Sequence, residues 1–292
     1  MKYDVSHRTT YSYSAAVAQS QHIVHMSPRQ VERQRIKGHT LVIEPAPTIR
    51  TERQDYFGNR VVMFDIEQDH KELVVHARSS ITVSAPPSIN LAAASPWHAL
   101  AERIADPRAG LDLDVIAFAC ASKNTRPTPD IAAYACPSFA PGRSVLEAAW
   151  DLIGRIYTDF TFDPTATDVS TPVTQVLQQR RGVCQDFSHL ALACLRSMRI
   201  SARYVSGYIL TKPPAGAPRL AGADASHAWV SVWCPEFGWV DFDPTNGLMP
   251  KDEHITIAYG RDYDDVSPIS GILLGGNEHS VFVAVDVVPI AP

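Results

Sequence analysis

The chain has 292 residues, 45% of them apolar and 20% charged, with a formal net charge of −5 and an isoelectric point near 6.1. Such a length can build two domains with sizeable cores. Charges of both signs are interspersed without a basic block, which excludes a polyanion footprint and leaves nucleic acid outside the expected partners.

The opening MKYDVSHRTTYSYS has no apolar leader segment, and no run approaches the roughly 18 apolar residues of a membrane helix. These features predict a soluble, cytoplasmic protein with no membrane partner. The cysteines Cys120, Cys136, Cys184, Cys194 and Cys234 number five and form no CxxC pair. That argues for reduced thiols over a disulfide framework or a thiolate zinc site.

In chain order, Tyr3, Val5, His7, Thr9, Tyr11 and Tyr13 alternate with polar residues, the period of a strand. Further runs at HTLVIEP, RVVMFDIEQ and ELVVHARSSITVSAP are separated by Phe57-Gly58-Asn59 and Gln68-Asp69-His70. They predict an N-terminal β-sandwich-like domain over residues 1–85, closed by Ala85-Pro86-Pro87, where two prolines stiffen the chain and cannot continue a central strand. Residues 86–143 have helical spacing broken by Pro107, Pro127, Pro129, Pro137 and Pro141, so short helices in a proline-rich linker region are expected. A stronger helix opens at Ser144, an N-cap with Glu147 three residues later. The next helix starts at Cys184 and buries a stripe of Phe187, Leu190, Ala191, Cys194, Leu195 and Met198. Strands follow at 202–210, at HAWVSVW, at GWVDFD and at SVFVAVDVV, and residues 144–292 read as one catalytic core.

The chemistry gathers at three positions. Cys184 falls in the first turn of its helix, where free N–H groups and the positive helix end favour a thiolate, and Gly182 offers a tight approach. A cysteine is more often simply buried, so a base is needed to give it a role. His227 shares a strand face with Trp229, Ser231 and Trp233. Pairing across Cys234 to Gly238 sets Trp233 opposite Trp239 and Trp229 opposite Asp243, which makes His227 the diagonal neighbour of Asp243 at roughly 7 Å between backbones. That carboxylate would orient the imidazole and leave its other nitrogen for the Cys184 proton. By spacing alone, Asp241 on the same face competes with Asp243.

The blocks GVCQDFSHLALACLRSM, ARYVSGYI, SHAWVSVW and GWVDFDPTNG together resemble the core of the transglutaminase-like superfamily. TYSYSAAVAQSQHIVHMSPR and DYFGNRVVMF resemble the bacterial N-terminal region that precedes this core, and GRDYDDVSPISG resembles the same bacterial subfamily. The resemblance implies an α+β, papain-like fold of helices packed on an antiparallel sheet. It implies Cys184 as nucleophile, His227 as base and Asp243, in FDPT, as the third member over Asp241. MRISARY lacks the Gly-Ile-Pro often found there, and Ser231 stands where an acidic residue often follows HAWV.

The expected reaction is acyl transfer on a peptide or protein substrate through a thioester, with the Cys184 N–H and the Gln185 side chain as oxyanion donors. Hydrolysis is favoured over amine transfer, with a non-catalytic peptide-binding module as the other class. Arg261 is a candidate for a substrate carboxylate against a plain salt bridge, Trp229 for a cleft wall against core packing, and residues 211–226 for a cleft border. No cofactor is called for. A metal site from Cys184, His189, His227 and Asp243 is disfavoured because positions five apart on a helix diverge by about 140°, so His189 is placed on the helix surface or in a local hydrogen bond. Asp262, Asp264 and Asp265 lack the glycine and distal glutamate of a calcium loop and read as an acidic surface turn.

Overall fold

The structure, a computed structural model, describes residues 1–211 and 226–290. In chain order its elements begin with strands β1 (Lys2–Val24), β2 (Gln34–Glu44), β3 (Ile49–Gln54), β4 (Arg60–Ile66) and β5 (His70–Val83). Helices α1 (Trp97–Ala105), α2 (Leu113–Ala119), α3 (Pro129–Ala135) and α4 (Val145–Asp159) follow, then β6 (Thr161–Phe162), α5 (Val173–Gln179), β7 (Arg181–Gly182) and α6 (Cys184–Ser197). The chain ends with β8 (Ala202–Ile209), β9 (Ser226–Cys234), β10 (Gly238–Phe242), β11 (His254–Gly260), β12 (Ile269–Gly275) and β13 (His279–Ile290). None of the described helices is long and apolar enough to cross a membrane.

The N-terminal strands form one antiparallel sheet in the order β2-β5-β1-β4-β3, organised by β1. The first half of β1 pairs with β5 and the second half with β4, with a break in register between Ser12 and Val17. At that break the sheet turns on itself, and Val17, Val24, Leu41, Ile43, Phe64, Ile66, Leu73 and Val75 from its two halves enclose an apolar core. The sandwich-like domain is thus a single bent sheet, with inward residues at every second position.

Two boundaries differ from the expectation. The C-terminal strands leave the catalytic core and return to the N-terminal sheet: β13 pairs with β1 from Lys2↔Ile290 to Tyr13↔His279, and β12 pairs with β1 from Val17↔Gly275 to Val24↔Ile269. The alternating pattern of SVFVAVDVV identifies β13 as a strand, but a pattern does not name the partner, and β12 is not among the expected strands. Residues 86–143 are no linker either. Leu100, Ile104, Val115 and Ile131 are buried in one core with α4, α6 and the inner face of β1, which contributes Tyr3 and Val5. Arg196 near the end of α6 fastens this segment. Its buried guanidinium donates to the carbonyls of Phe118, Ala202 and Arg261 and to the hydroxyls of Ser122 and Thr125.

The second sheet runs β10-β9-β8-β11, all antiparallel. Ala228, Val230 and Val232 on one face of β9 join the core that includes α6. Val205, Trp229 and Tyr259 pack on the other face with Val31 of the N-terminal region. Beside β8, β11 is an edge strand whose spare backbone groups need partners. Side-chain amides supply them: Gln34 accepts from Thr256 N–H and donates to its carbonyl, at 2.8 and 2.7 Å, and Asn59 does the same for Tyr259 at the same two distances. Those four bonds lock the N-terminal sheet to the second sheet.

Candidate active site

Cys184 opens α6 after Val183 in extended backbone. Asp186, three residues on from Val183, accepts from the Val183 N–H at 2.8 Å and from Thr167 Oγ1 at 2.7 Å, fixing the start of the helix. Gly182 serves this carboxylate by leaving room: a Cβ there would lie 2.6 Å from Asp186 Oδ2. The need for glycine is therefore steric, and no left-handed backbone is involved. Cys184 is half-buried at the foot of a cleft of about 330 Å³, at a helix end whose free N–H groups stabilise negative charge.

β9 and β10 pair as the sequence implies, with Trp233 opposite Trp239. The ladder stops at Phe242↔Val230, and Asp243 turns out of it to bridge Leu248. His227 Nε2 meets Asp243 Oδ2 at 2.7 Å, and both side chains are buried. Cys184 also interacts with this imidazole through its side chain. The three residues picked from sequence thus stand in series. Asp243 Oδ1 accepts from the N–H groups of Thr245 and Asn246, at 2.9 and 3.1 Å, and Oδ2 also accepts from Asn246 Nδ2 at 2.7 Å and His254 Nε2 at 3.0 Å.

The electrostatics follow from these bonds. Burial opposes a charge on His227, but the hydrogen bonds with Asp243 and Cys184 outweigh it and push the imidazole up to about 10. Burial likewise works against the Asp243 carboxylate, yet the donors His227, His254 and Asn246 hold it well below the usual carboxylate range. The arrangement sets a base, oriented by a carboxylate, beside a cysteine sulfur, the layout of an activated nucleophile.

Other candidates sit differently. Asp241 pairs with Arg33 at 3.3 Å. Gln185 lines the cleft, with its amide donating to the Val169 carbonyl at 3.2 Å. Arg261 is held by Asp265 through two nitrogens, each at 2.9 Å. Trp229 is fully buried and packs edge-on against His254, so it belongs to the core beneath the cleft. His189, expected at the surface, is buried and accepts from the Tyr263 N–H at 3.1 Å; burial lowers its pKa to about 4. Asp262, expected in a surface turn, is also buried and receives the Asn124 and Asp264 N–H groups, while Asp264 and Asp265 pair with Lys123 and Arg261. The segment expected to border the cleft lies, from residue 212 to 225, outside the described residues.

Two features escaped the sequence. Thr9, Tyr11, Val281 and Val283 from β1 and β13 form the cleft wall that includes His7, whose Nδ1 meets the Tyr208 hydroxyl at 2.7 Å. The N-terminal sheet is therefore half of the cleft. The second is His254, in MPKDEHITIAYG, where nothing in the local pattern points to Asp243. Among the described residues, His227, Asp243 and His254 alone gather three metal-type ligand atoms. Both nitrogens stand at hydrogen-bond distance from one carboxylate oxygen, and a proton on each satisfies that arrangement.

Residues 3–82 match the family model of the bacterial transglutaminase-like N-terminal region, and residues 134–244 match that of the transglutaminase-like superfamily. An uncharacterised protein of Mycobacterium tuberculosis strain H37Rv is 42% identical over 297 residues, spanning 99% of this chain and 93% of that protein. A shorter match, 34% identical over 93 residues, joins 32% of this chain to 14% of a protein-glutamine gamma-glutamyltransferase of Pseudomonas aeruginosa. The crystal structure of a candidate cysteine protease from Cytophaga hutchinsonii shares the fold, with a TM-score of 0.74 at 21% identity over 100% of this chain and 92% of that one.

Proposed function

Because this chain belongs to the transglutaminase-like superfamily, we propose that it is a cysteine-dependent acyl-transfer enzyme acting on amide bonds of a peptide or protein. The observation that supports this most directly is the series Cys184, His227, Asp243 at the foot of a cleft of about 330 Å³. In the reaction the Cys184 thiolate attacks the amide carbon, and the negative oxygen of the tetrahedral adduct is received by the Cys184 N–H and the Gln185 amide. The adduct collapses as the C–N bond breaks and His227 gives its proton to the departing amine. The thioester that remains is opened by a second nucleophile, whose proton returns to His227.

Water is the second nucleophile in this reading, making the enzyme a peptidase or amidase. The described residues that line the cleft include no Asp or Glu, so nothing there attracts the ammonium of a lysine acceptor. The competing reading, transfer to an amine as in a protein-glutamine gamma-glutamyltransferase, is favoured by the partial match to that Pseudomonas protein. A non-catalytic peptide-binding role would leave the pairing of Cys184, His227 and Asp243 without a purpose.

Incubation of wild type and Cys184→Ala with peptide libraries, with and without a primary amine, tests the proposal. Hydrolysis gives cleaved or deamidated products whose masses do not change when amine is added, and Cys184→Ala reduces them by about a thousandfold or more. Amine adducts as the main product would replace hydrolysis by transfer. Product formation surviving in Cys184→Ala would overturn both.

A further inference from the structure

Two imidazoles share one oxygen of Asp243, and they are not equivalent. His227 Nε2 lies 2.7 Å from Oδ2 and His254 Nε2 lies 3.0 Å from it, with ring centres 5.9 Å apart. An ionised carboxylate oxygen only accepts, so each Nε2 must bear hydrogen. The opposite nitrogen of His227 faces Cys184, a proton donor and acceptor at the cleft. The opposite nitrogen of His254, Nδ1, is buried and has no hydrogen-bond partner among the described residues, and the ring stands edge-on to the buried Trp229 at 5.2 Å. A buried proton on that Nδ1 would be a donor without an acceptor, whereas a bare nitrogen there loses less.

We infer that His254 is a positioning residue of the acyl-transfer site, an imidazole whose Nε2–H aims Asp243 Oδ2 at His227. The inference rests on the acyl-transfer reading above. Asp243 leaves the β10 ladder before meeting His227 and so is not held by strand pairing there. Its Oδ1 is pinned by the Thr245 and Asn246 N–H groups. The direction of Oδ2 is then set by Asn246 Nδ2 on one side and His254 on the other. His254 comes from β11, across β8 and β9, and reaches Asp243 because Gly207 in β8 has no side chain to hold the layers apart.

Of the ionisable groups around the pair, His7, Tyr11, Cys184, Tyr204 and Tyr263 line the cleft with His227, and Arg33, Asp241 and Lys251 line a small cavity on the far side that His254 also borders.

The test uses iodoacetamide alkylation of Cys184 in the full chain, followed by peptide mass across pH, in wild type, His254→Gln, His254→Asn and His254→Leu. Glutamine places an N–H near the position of imidazole Nε2, and asparagine falls short of it. Leucine and asparagine should slow alkylation at neutral pH by about tenfold and move its acid limb to higher pH, because a loosened Asp243 supports the His227 imidazolium less, while glutamine should stay near wild type. Should the leucine variant fail to fold, the Gln and Asn pair decides. Nitrogen-15 NMR of the wild-type histidines at neutral pH should show His254 with Nε2 protonated and Nδ1 bare. Wild-type pH profiles in the Asn variant, or a protonated Nδ1, would overturn the inference. If wild-type Cys184 alkylates no faster than the exposed Cys120 and Cys136, the acyl-transfer reading fails instead, and the NMR result still reports the tautomer.

Discussion

Asp243 accepts five hydrogen bonds, three at Oδ2 and two at Oδ1, while Asp241 two residues earlier reaches Arg33 of the N-terminal region. The two aspartates share a strand pattern but not a task. An Asp243→Asn exchange removes the charge that supports the His227 imidazolium and turns an N–H₂ toward donors, so activity and neutral-pH alkylation of Cys184 should fall by about a hundredfold or more. Asp241→Asn weakens one partly exposed ion pair, with an effect on activity under about threefold. Equal losses in the two variants would reverse the assignment. Sequence spacing brings both aspartates near His227. Only the turn of the chain after Phe242, through the Asp243–Leu248 bridge, gives one of them the right direction.

At the scale of elements, the second sheet depends on Gly207. A Cβ at this position would collide with the Ile255 carbonyl oxygen on β11 and lie 2.5 Å from Cη2 of Trp229 on β9. β8 would have to move away from both neighbours, parting His254 from Asp243. Gly207→Ala should destabilise the protein by about 3 kcal/mol, read from urea unfolding, and lower Cys184 reactivity in the same variant. An alanine variant as stable and as reactive as wild type would contradict this packing. The glycine is visible in ARYVSGYI, but a glycine within a strand pattern announces only a bulge or a close approach, not what approaches. The helix of Cys184 is the opposite case. Its apolar stripe and its start were both legible, because 3.6-residue periodicity and end effects are local.

At the scale of the molecule, the cleft belongs to both ends of the chain. Residues 279–290 supply a full-length partner for the first half of β1, and Val285 and Val287 enter the shared core while Val281 and Val283 line the cleft. Deleting residues 268–292 should expose β1 and the core beneath it, and the truncated chain is expected to lose cooperative unfolding and to aggregate, as size-exclusion chromatography would reveal. A monomeric, cooperatively folded truncation would refute it. Stability should also respond to pH. Burial lowers His7, His22 and His189 to about 4. The unfolded chain, with histidines near 6.5, binds more protons between these values. Their contribution is therefore complete above about pH 6.5 and is lost as pH falls through 4. His227, raised to about 10, acts in the opposite sense, contributing below about pH 6.5 and losing its effect as pH rises through 10. Denaturant midpoints that do not decline from pH 6.5 to 4 would show that the three histidines are not buried neutral.

The family, many of the strands and helices, and the candidacy of Cys184, His227 and Asp243 were legible in the sequence alone, because period, helix ends and motif order are properties of neighbouring residues. The tertiary structure decided which strands pair, and hence that the last two complete the first sheet, that residues 86–143 sit in the common core, and that the N-terminal sheet walls the cleft. It also decided that His254 meets Asp243. Strand partners and buried polar contacts join residues far apart in the chain, and no local pattern records a choice made by long-range packing and by the need of every buried donor for an acceptor.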